Sequence, residues 1–273
     1  MALGKWRHEW GRGWRERNGT VKLTIIGCAG SFPGPDSPCS AYVVEAEGFR
    51  LLIDFGSGSL GALQRHIDPH SIDAIMLTHL HADHVLDACT YVVMRRYAPG
   101  APFPRIPVYG PRDTEARLME AYGGAGEEHI APSLRDVYAF HPMAPSTFDL
   151  GPFGVTVDLV SHPVETYGVR ITHNGRSLAY SSDSGPCDAL VRLAQHSDLF
   201  LCEASYLEGR DNPPNVHLTG KEAGEHATKA GVGKLVLTHL VQAWGSGERT
   251  YEEAASAFNG PIDLARSGAV YQI

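Results

Sequence analysis

No stretch of this 273-residue sequence stays apolar for long; runs such as Leu51–Ile53 are closed at once by Arg50 and Asp54. A helix that crosses a bilayer needs about 20 consecutive apolar residues, so no membrane span is expected. No secretory leader is expected either, because Met1–Thr20 carries Lys5, Arg7, Arg12, Arg15 and Arg17 with no apolar segment behind them. The expected location is therefore cytoplasmic. Cysteine is scarce and unpatterned: Cys28, Cys39, Cys89, Cys187 and Cys202 are odd in number and contain no C-x-x-C pair. That excludes a disulfide framework and a cysteine zinc knuckle as expectations, and leaves small buried thiols. Positive charge is short as well, with 23 Lys and Arg against 31 Asp and Glu and a net charge of −8. A chain built to hold a long nucleic acid needs a basic face for the phosphates. Here basic residues gather only in the N-terminal extension and in pairs such as Arg95–Arg96. A small substrate captured at a local site is the expected partner, with nucleic acid second.

What is present is an ordinary globular composition, 43% hydrophobic and 20% charged, with 14 histidines. Residues 1–20 have no clear period and read as a poorly ordered extension; 21–273 read as one domain without linker or low-complexity segment. Short apolar strands are predicted at Val21–Gly27, Ala41–Glu45, Arg50–Asp54 and Ala74–Leu77, with helices over Gly58–Ile67 and His84–Tyr97. The second half repeats the pattern. Strands are predicted at Val137–Phe140, Val155–Val160, Val169–Thr172, Leu178–Ser181, Leu199–Glu203 and Lys234–Thr238, and helices at Cys187–Gln195, Thr219–Ala230 and Tyr251–Phe258. Thr219 and Glu222 fit a capping box. Two runs of strands with helices outside them predict an α/β, four-layer αββα sandwich.

The strongest chemical signal is Thr78-His79-Leu80-His81-Ala82-Asp83-His84, directly after a buried strand. A spacing of two puts His79 and His81 on the same side of an extended segment, where both can face one metal. Asp83 and His84 turn into a helix and can face a second. A lone His-x-His is weak; the full His-x-His-x-Asp-His is specific.

This motif resembles that of the metallo-β-lactamase superfamily. The resemblance implies that His162 after one strand, Asp183 after another and His239 after a third complete the set. One metal would then take His79, His81, His162 and Asp183, and the other Asp83, His84, His239 and the shared Asp183. Imidazole with carboxylate suits two Zn²⁺, with Mn²⁺ or Fe²⁺ as alternatives. A hydroxide bridging two metals about 3.5–4 Å apart is a nucleophile at neutral pH, and Asp83 belongs to the catalytic set through that pair.

Three further segments resemble the phosphodiesterase and ribonuclease Z branch: Tyr167-Gly168-Val169-Arg170, Leu201-Cys202-Glu203-Ala204-Ser205 and Asn215-Val216-His217-Leu218-Thr219. In that branch the histidine protonates the leaving oxygen and the glutamate orients it, which implies those roles for His217 and Glu203. Gly34-Pro35-Asp36-Ser37-Pro38, Asp54-Phe55-Gly56-Ser57-Gly58 and His162-Pro163-Val164-Glu165 resemble the actinobacterial cyclic nucleotide phosphodiesterases of this fold, though each also reads as a plain turn or edge. The expected activity is hydrolysis of 3′,5′-cyclic nucleotides such as cyclic AMP. Alternatives are transfer RNA 3′-processing of the ribonuclease Z kind and hydrolysis of a thioester or lactone. The long arm by which bacterial ribonuclease Z grips transfer RNA has no room between His162 and Asp183. Relatives of this kind also imply a homodimer. One departure stands out: where the family has Ser-Gly-Asp-Thr, this chain has Ser181-Ser182-Asp183-Ser184, so Ser182 adds a side chain beside the bridging aspartate.

Overall fold

The computed structural model describes residues 20–123 and 133–273. The extension expected to be poorly ordered lies, apart from Thr20, outside the described residues. Strands β1 (Lys22–Gly27), β2 (Ala41–Ala46) and β3 (Phe49–Ile53) form an antiparallel meander. Strands β4 (Ala74–Met76), β5 (Ile106–Gly110) and β6 (Tyr138–Pro142) then add in parallel. The second sheet mirrors this grammar. Strands β7 (Ser146–Leu150), β8 (Phe153–Leu159), β9 (Tyr167–His173) and β10 (Arg176–Tyr180) are antiparallel, and β11 (Leu199–Glu203), β12 (Leu235–Thr238) and β13 (Ile262–Leu264) follow in parallel. The last strand, β14 (Val270–Gln272), returns to pair with β1.

Side chains alternate across a strand, so a strand buried on both faces reads as a continuous apolar run. In β2, Tyr42 and Val44 point between the sheets, while Ala41 and Val43 point outward beneath helices. Three apolar clusters result. One fills the space between the sheets, with Leu23, Ile25, Leu51, Val155, Val169 and Leu201 among its members. A second lies under α1 (Ser59–Leu63), α2 (Ala82–Val85), α3 (Asp87–Tyr97) and α4 (Thr114–Gly123). The third lies under α5 (Asp188–Ala194), α6 (Gly220–Ala230) and α7 (Glu248–Ala255). Three apolar interfaces between helix, sheet, sheet and helix are the expected αββα sandwich.

Differences from the predicted elements have local causes. The helix expected over His84–Tyr97 is broken at Leu86, because the Phe55 backbone intrudes: Phe55 N donates to the His84 carbonyl at 2.7 Å, and Asp87 N donates to the Phe55 carbonyl at 3.0 Å. Strand β5 was not predicted; its sequence IPVYG holds a proline and a glycine, which weaken a strand signal. Strands β7, β13 and β14 and helix α4 were also not predicted. The capping box on α6 is present, with Glu222 N donating to Thr219 Oγ1 and Thr219 N donating to Glu222 Oε2. No helix among the described residues is long and apolar enough to cross a membrane.

Candidate metal centre

Loops at the carboxyl ends of β3, β4, β10, β11 and β12, joined by the loop after β8, carry the polar side chains to one rim of the sandwich. That rim is where open α/β sheets place their ligands. Two groups of side chains converge there. His79, His81, His162 and Asp183 form one, and Asp83, His84, His239 and Asp183 the other, each with its ligand atoms within 4.8 Å of one another. Asp183 belongs to both. The structure thus brings together all seven residues that the sequence singled out for metal binding.

Their contacts fit a cation. His81 Nδ1 lies 3.1 Å from His79 Nε2 and 3.2 Å from His162 Nε2, and His84 Nε2 lies 3.3 Å from His239 Nε2. Lone pairs of neutral imidazoles crowded in this way repel unless a proton or a metal lies between them. Asp183 Oδ1, almost wholly buried, makes no well-aligned hydrogen bond and has the His84 Nε2 beside it at 3.2 Å. A buried carboxylate oxygen placed so is costly unless something positive meets it. A divalent metal site is what these donors suit.

The tautomers agree. Carboxylates and carbonyls only accept, so His84 donates through Nδ1 to Asp54 Oδ2 at 2.8 Å, and His162 donates through Nδ1 to the Val216 carbonyl at 2.9 Å. Each leaves Nε2 free for a metal, as in carboxylate–histidine–metal triads. His239 Nδ1 pairs with Ser205 Oγ at 2.7 Å and turns its Nε2 to the same centre. Burial drives His79, His81 and His162 below the usual histidine pKa, which favours the neutral form that ligates. His84 goes the other way: burial opposes its charge, but Asp183 and Asp54 outweigh it and raise the pKa well above the usual range. Without metal, a proton on His84 answers those carboxylates; a cation would take over that role. Asp83 is held below the ordinary carboxylate range, burial being outweighed by the hydrogen bond from His239 and the charges of His84 and His239.

Glu203 and His217 sit beside both groups. His217 Nδ1 donates to Glu203 Oε1 at 2.7 Å, and the same oxygen accepts from Ser184 N at 3.0 Å. Oε2 accepts from Ser205 N at 3.1 Å and from Ser205 Oγ at 3.2 Å. Although Glu203, His217 and His239 also converge, Glu203 is saturated with donors, and the three do not make a further metal site. Burial disfavours the His217 imidazolium, but the Glu203 charge and hydrogen bond hold its pKa up to about 9.

Sequence reading missed most of the supporting groups. Asp54, expected only as the end of a strand and the start of a turn, is fully buried and accepts from Thr78 N at 2.8 Å and Tyr180 Oη at 3.1 Å besides His84. Its signal was a charge ending the apolar run of β3. Ser31 N donates to Asp83 Oδ2 at 2.8 Å, a backbone contact with no sequence signal. Ser182, the departure from the family pattern, adopts φ 55° and donates to Thr78 Oγ1 at 2.7 Å, so its hydroxyl joins the Asp54 network. Gly56 passes so close to the Asp83 carbonyl that a Cβ there would collide with it. Other residues lie elsewhere. Arg170 donates to the carbonyls of Leu193 and Gln195 at the end of α5. Arg96 pairs with Asp136, while Arg95 is buried against Phe103 and donates to the Pro104 carbonyl.

Comparison with known proteins agrees with this geometry. The β-lactamase superfamily domain model matches residues 49–240. An uncharacterized protein of Mycobacterium tuberculosis is 47% identical over 259 residues, 93% of this chain and 93% of its own. The probable metallo-hydrolase YhfI of Bacillus subtilis is 31% identical over 92% of this chain and 100% of its own. The crystal structure of YhfI superposes with a TM-score of 0.82 at 28% identity, covering 93% of this chain and all of that one. A ribonuclease Z of Mycobacterium bovis is 30% identical over 89% of this chain and 95% of its own. On its fold, its clustered histidines and aspartates and these relatives, the chain belongs to the β-lactamase superfamily as a metal-dependent hydrolase.

Proposed function

We propose that this protein is a binuclear phosphodiesterase acting on 3′,5′-cyclic nucleotides, with His79, His81 and His162 on one zinc ion, Asp83, His84 and His239 on the other, and Asp183 bridging. The observation that carries a phosphodiester reading is the hydrogen-bonded pair of His217 and Glu203 beside the metal ligands. An alkoxide is a poor leaving group and must be protonated as its bond to phosphorus breaks. His217 holds a proton at Nε2 for that oxygen, because Nδ1 is engaged by Glu203. Glu203 orients the ring and keeps it charged near neutral pH. The bound metals would supply an activated water and neutralise charge developing on the phosphoryl oxygens. Ser205 links both functions, contacting Glu203 and His239 at once.

The similarity to ribonuclease Z supports phosphodiester chemistry in general. Between His162 and Asp183 the chain runs only through β9 and β10, which leaves no arm for transfer RNA, and the net charge of −8 also favours a small substrate. The test is hydrolysis of 3′,5′-cyclic AMP by zinc- or manganese-loaded protein, beside Asp83→Ala and a precursor transfer RNA. Turnover of cyclic AMP that vanishes in the variant is expected. Cleavage of the transfer RNA alone would replace this reading with the ribonuclease one.

A further inference from the structure

A cleft of about 300 Å³, with His81 in its wall, opens beside the metal centre. Its size is at the lower end of the roughly 300–1,000 Å³ of small-ligand pockets, enough for one compact group and not for a polymer. Leu80, Pro111 and Val164 give it apolar walls, and Asp113, Arg117 and Glu165 give it charge. Leu80 and His81 belong to the metal-binding loop, and Val164 and Glu165 follow His162 within three residues. Whatever fills the cleft therefore touches the same two loops that present the ligands.

The charge in this cleft has the wrong sign for phosphate. Two carboxylates face one guanidinium, and that guanidinium lies 3.7 Å from Glu120 Oε2, outside the lining. Glu165 is held in place, since the Tyr167 hydroxyl donates to its Oε1 at 2.6 Å, which leaves Oε2 to accept from a ligand. Carboxylates against apolar walls recognise a flat or compact group that bears N–H or O–H donors, and repel an added anion.

Resting on the phosphodiesterase reading, we propose that this cleft is the subsite for the uncharged, donor-bearing part of the substrate, a nucleoside, and that Asp113 and Glu165 restrict the enzyme to substrates with an isolated phosphate. The chemistry names both a preference and an exclusion. A nucleoside presents ring or amino N–H groups and ribose hydroxyls to the carboxylates, and its base lies against Leu80, Pro111 and Val164. A nucleotide embedded in RNA, or one carrying a second phosphate, brings an anion to the same place and is refused.

The experiment is a calorimetric titration of zinc-loaded protein with adenosine 5′-monophosphate and with adenosine 3′,5′-bisphosphate, repeated on Asp113→Asn, Glu165→Gln and the double variant. Both side chains are exposed, and melting curves check that the variants fold. The monophosphate is expected to bind about tenfold more tightly than the bisphosphate, and the double variant to narrow that ratio to about threefold or less, as removal of a like-charge penalty requires. A bisphosphate that binds the unaltered protein as tightly as the monophosphate, or a ratio unchanged in the double variant, would overturn the assignment. Because binding is read and not turnover, a protein that fails to hydrolyse cyclic AMP but keeps this ordering refutes the proposed substrate and leaves the cleft assignment standing.

Discussion

Tyr180 in the second sheet donates its hydroxyl to Asp54 Oδ2, at the end of β3 in the first, across 3.1 Å of buried space. The same oxygen receives His84 Nδ1 at 2.8 Å. One carboxylate therefore fixes the ring of a metal ligand and ties the two sheets together. Tyr42 makes a parallel link, 2.8 Å from Thr238 Oγ1.

From this follows an ordered pair of outcomes. Asp54→Asn removes the charge and turns one of two oxygens that both receive donors into an NH2, which sets it against Thr78 N or His84 Nδ1 and frees the His84 ring; metal affinity should fall about 10–100-fold. Tyr180→Phe removes one donor of several and should cost about 1 kcal/mol of stability with little change in metal affinity. Metal titration and thermal melting of both variants check this. Equal metal affinities in the two would disprove the distinction.

The acid role of His217 is separable by leaving group. With a cyclic nucleotide, His217→Ala should lower kcat by about 10²–10⁴-fold. With bis(p-nitrophenyl) phosphate, whose leaving phenolate needs little protonation, the loss should be within about tenfold. A uniform loss on both substrates would mean that the ring only positions something else.

Activity on the cyclic nucleotide should also decline as pH rises through the His217 pKa of about 9. Glu203→Gln removes the charge that raises it, so the alkaline limb should move down towards the ordinary histidine range. The sign for stability is the same. The folded pKa exceeds the unfolded value of about 6.5, so the pair's contribution is complete below that pH and is lost as pH rises through about 9. A pH–rate profile whose alkaline limb does not move in Glu203→Gln would refute the assignment.

Ser182 offers a test of strain against hydrogen bonding. A non-glycine residue at φ 55° costs about 1–2 kcal/mol, whereas its bond to Thr78 contributes about 1. Ser182→Gly should therefore leave stability within about 1 kcal/mol. Ser182→Ala keeps the strain and loses the bond, and should be the less stable of the two in urea unfolding. The reverse order would show that glycine's greater chain entropy outweighs the relief of the left-handed backbone.

Gly56→Ala puts a methyl group into the Asp83 carbonyl and must push the metal loop outward. Expected are a protein that still folds, with far-ultraviolet circular dichroism unchanged, and zinc affinity lowered at least about tenfold. Retained affinity would show that the loop gives way without moving its ligands.

The sandwich was legible because both faces of most strands are buried and their apolar runs stand out from the turns. The ligands were legible because four of them, His79, His81, Asp83 and His84, fall in one short segment, and the rest at strand ends. What was not legible is the support. Ser31 acts through its backbone, Val216 through its carbonyl, and Asp54 through partners 24 and 126 residues away in the chain. Such contacts arise from how the sheets stack. The break at Leu86 had the same origin, a distant backbone taking hydrogen bonds that a helix would otherwise make.

The division of ligands between the two halves also affects biosynthesis. His84 and His239 meet at the centre but are 155 residues apart in the chain. At about 5–20 residues per second, roughly 8–30 s pass between their emergence from the ribosome. During that interval the nascent chain offers His79, His81, Asp83 and His84 to any passing ion without the residues that close the site. An ion caught then is free to exchange, so the metal finally kept should be the one present when the second sheet docks. Metal exchange measured on chains stalled before and after His239 would show it, as fast release that becomes slow.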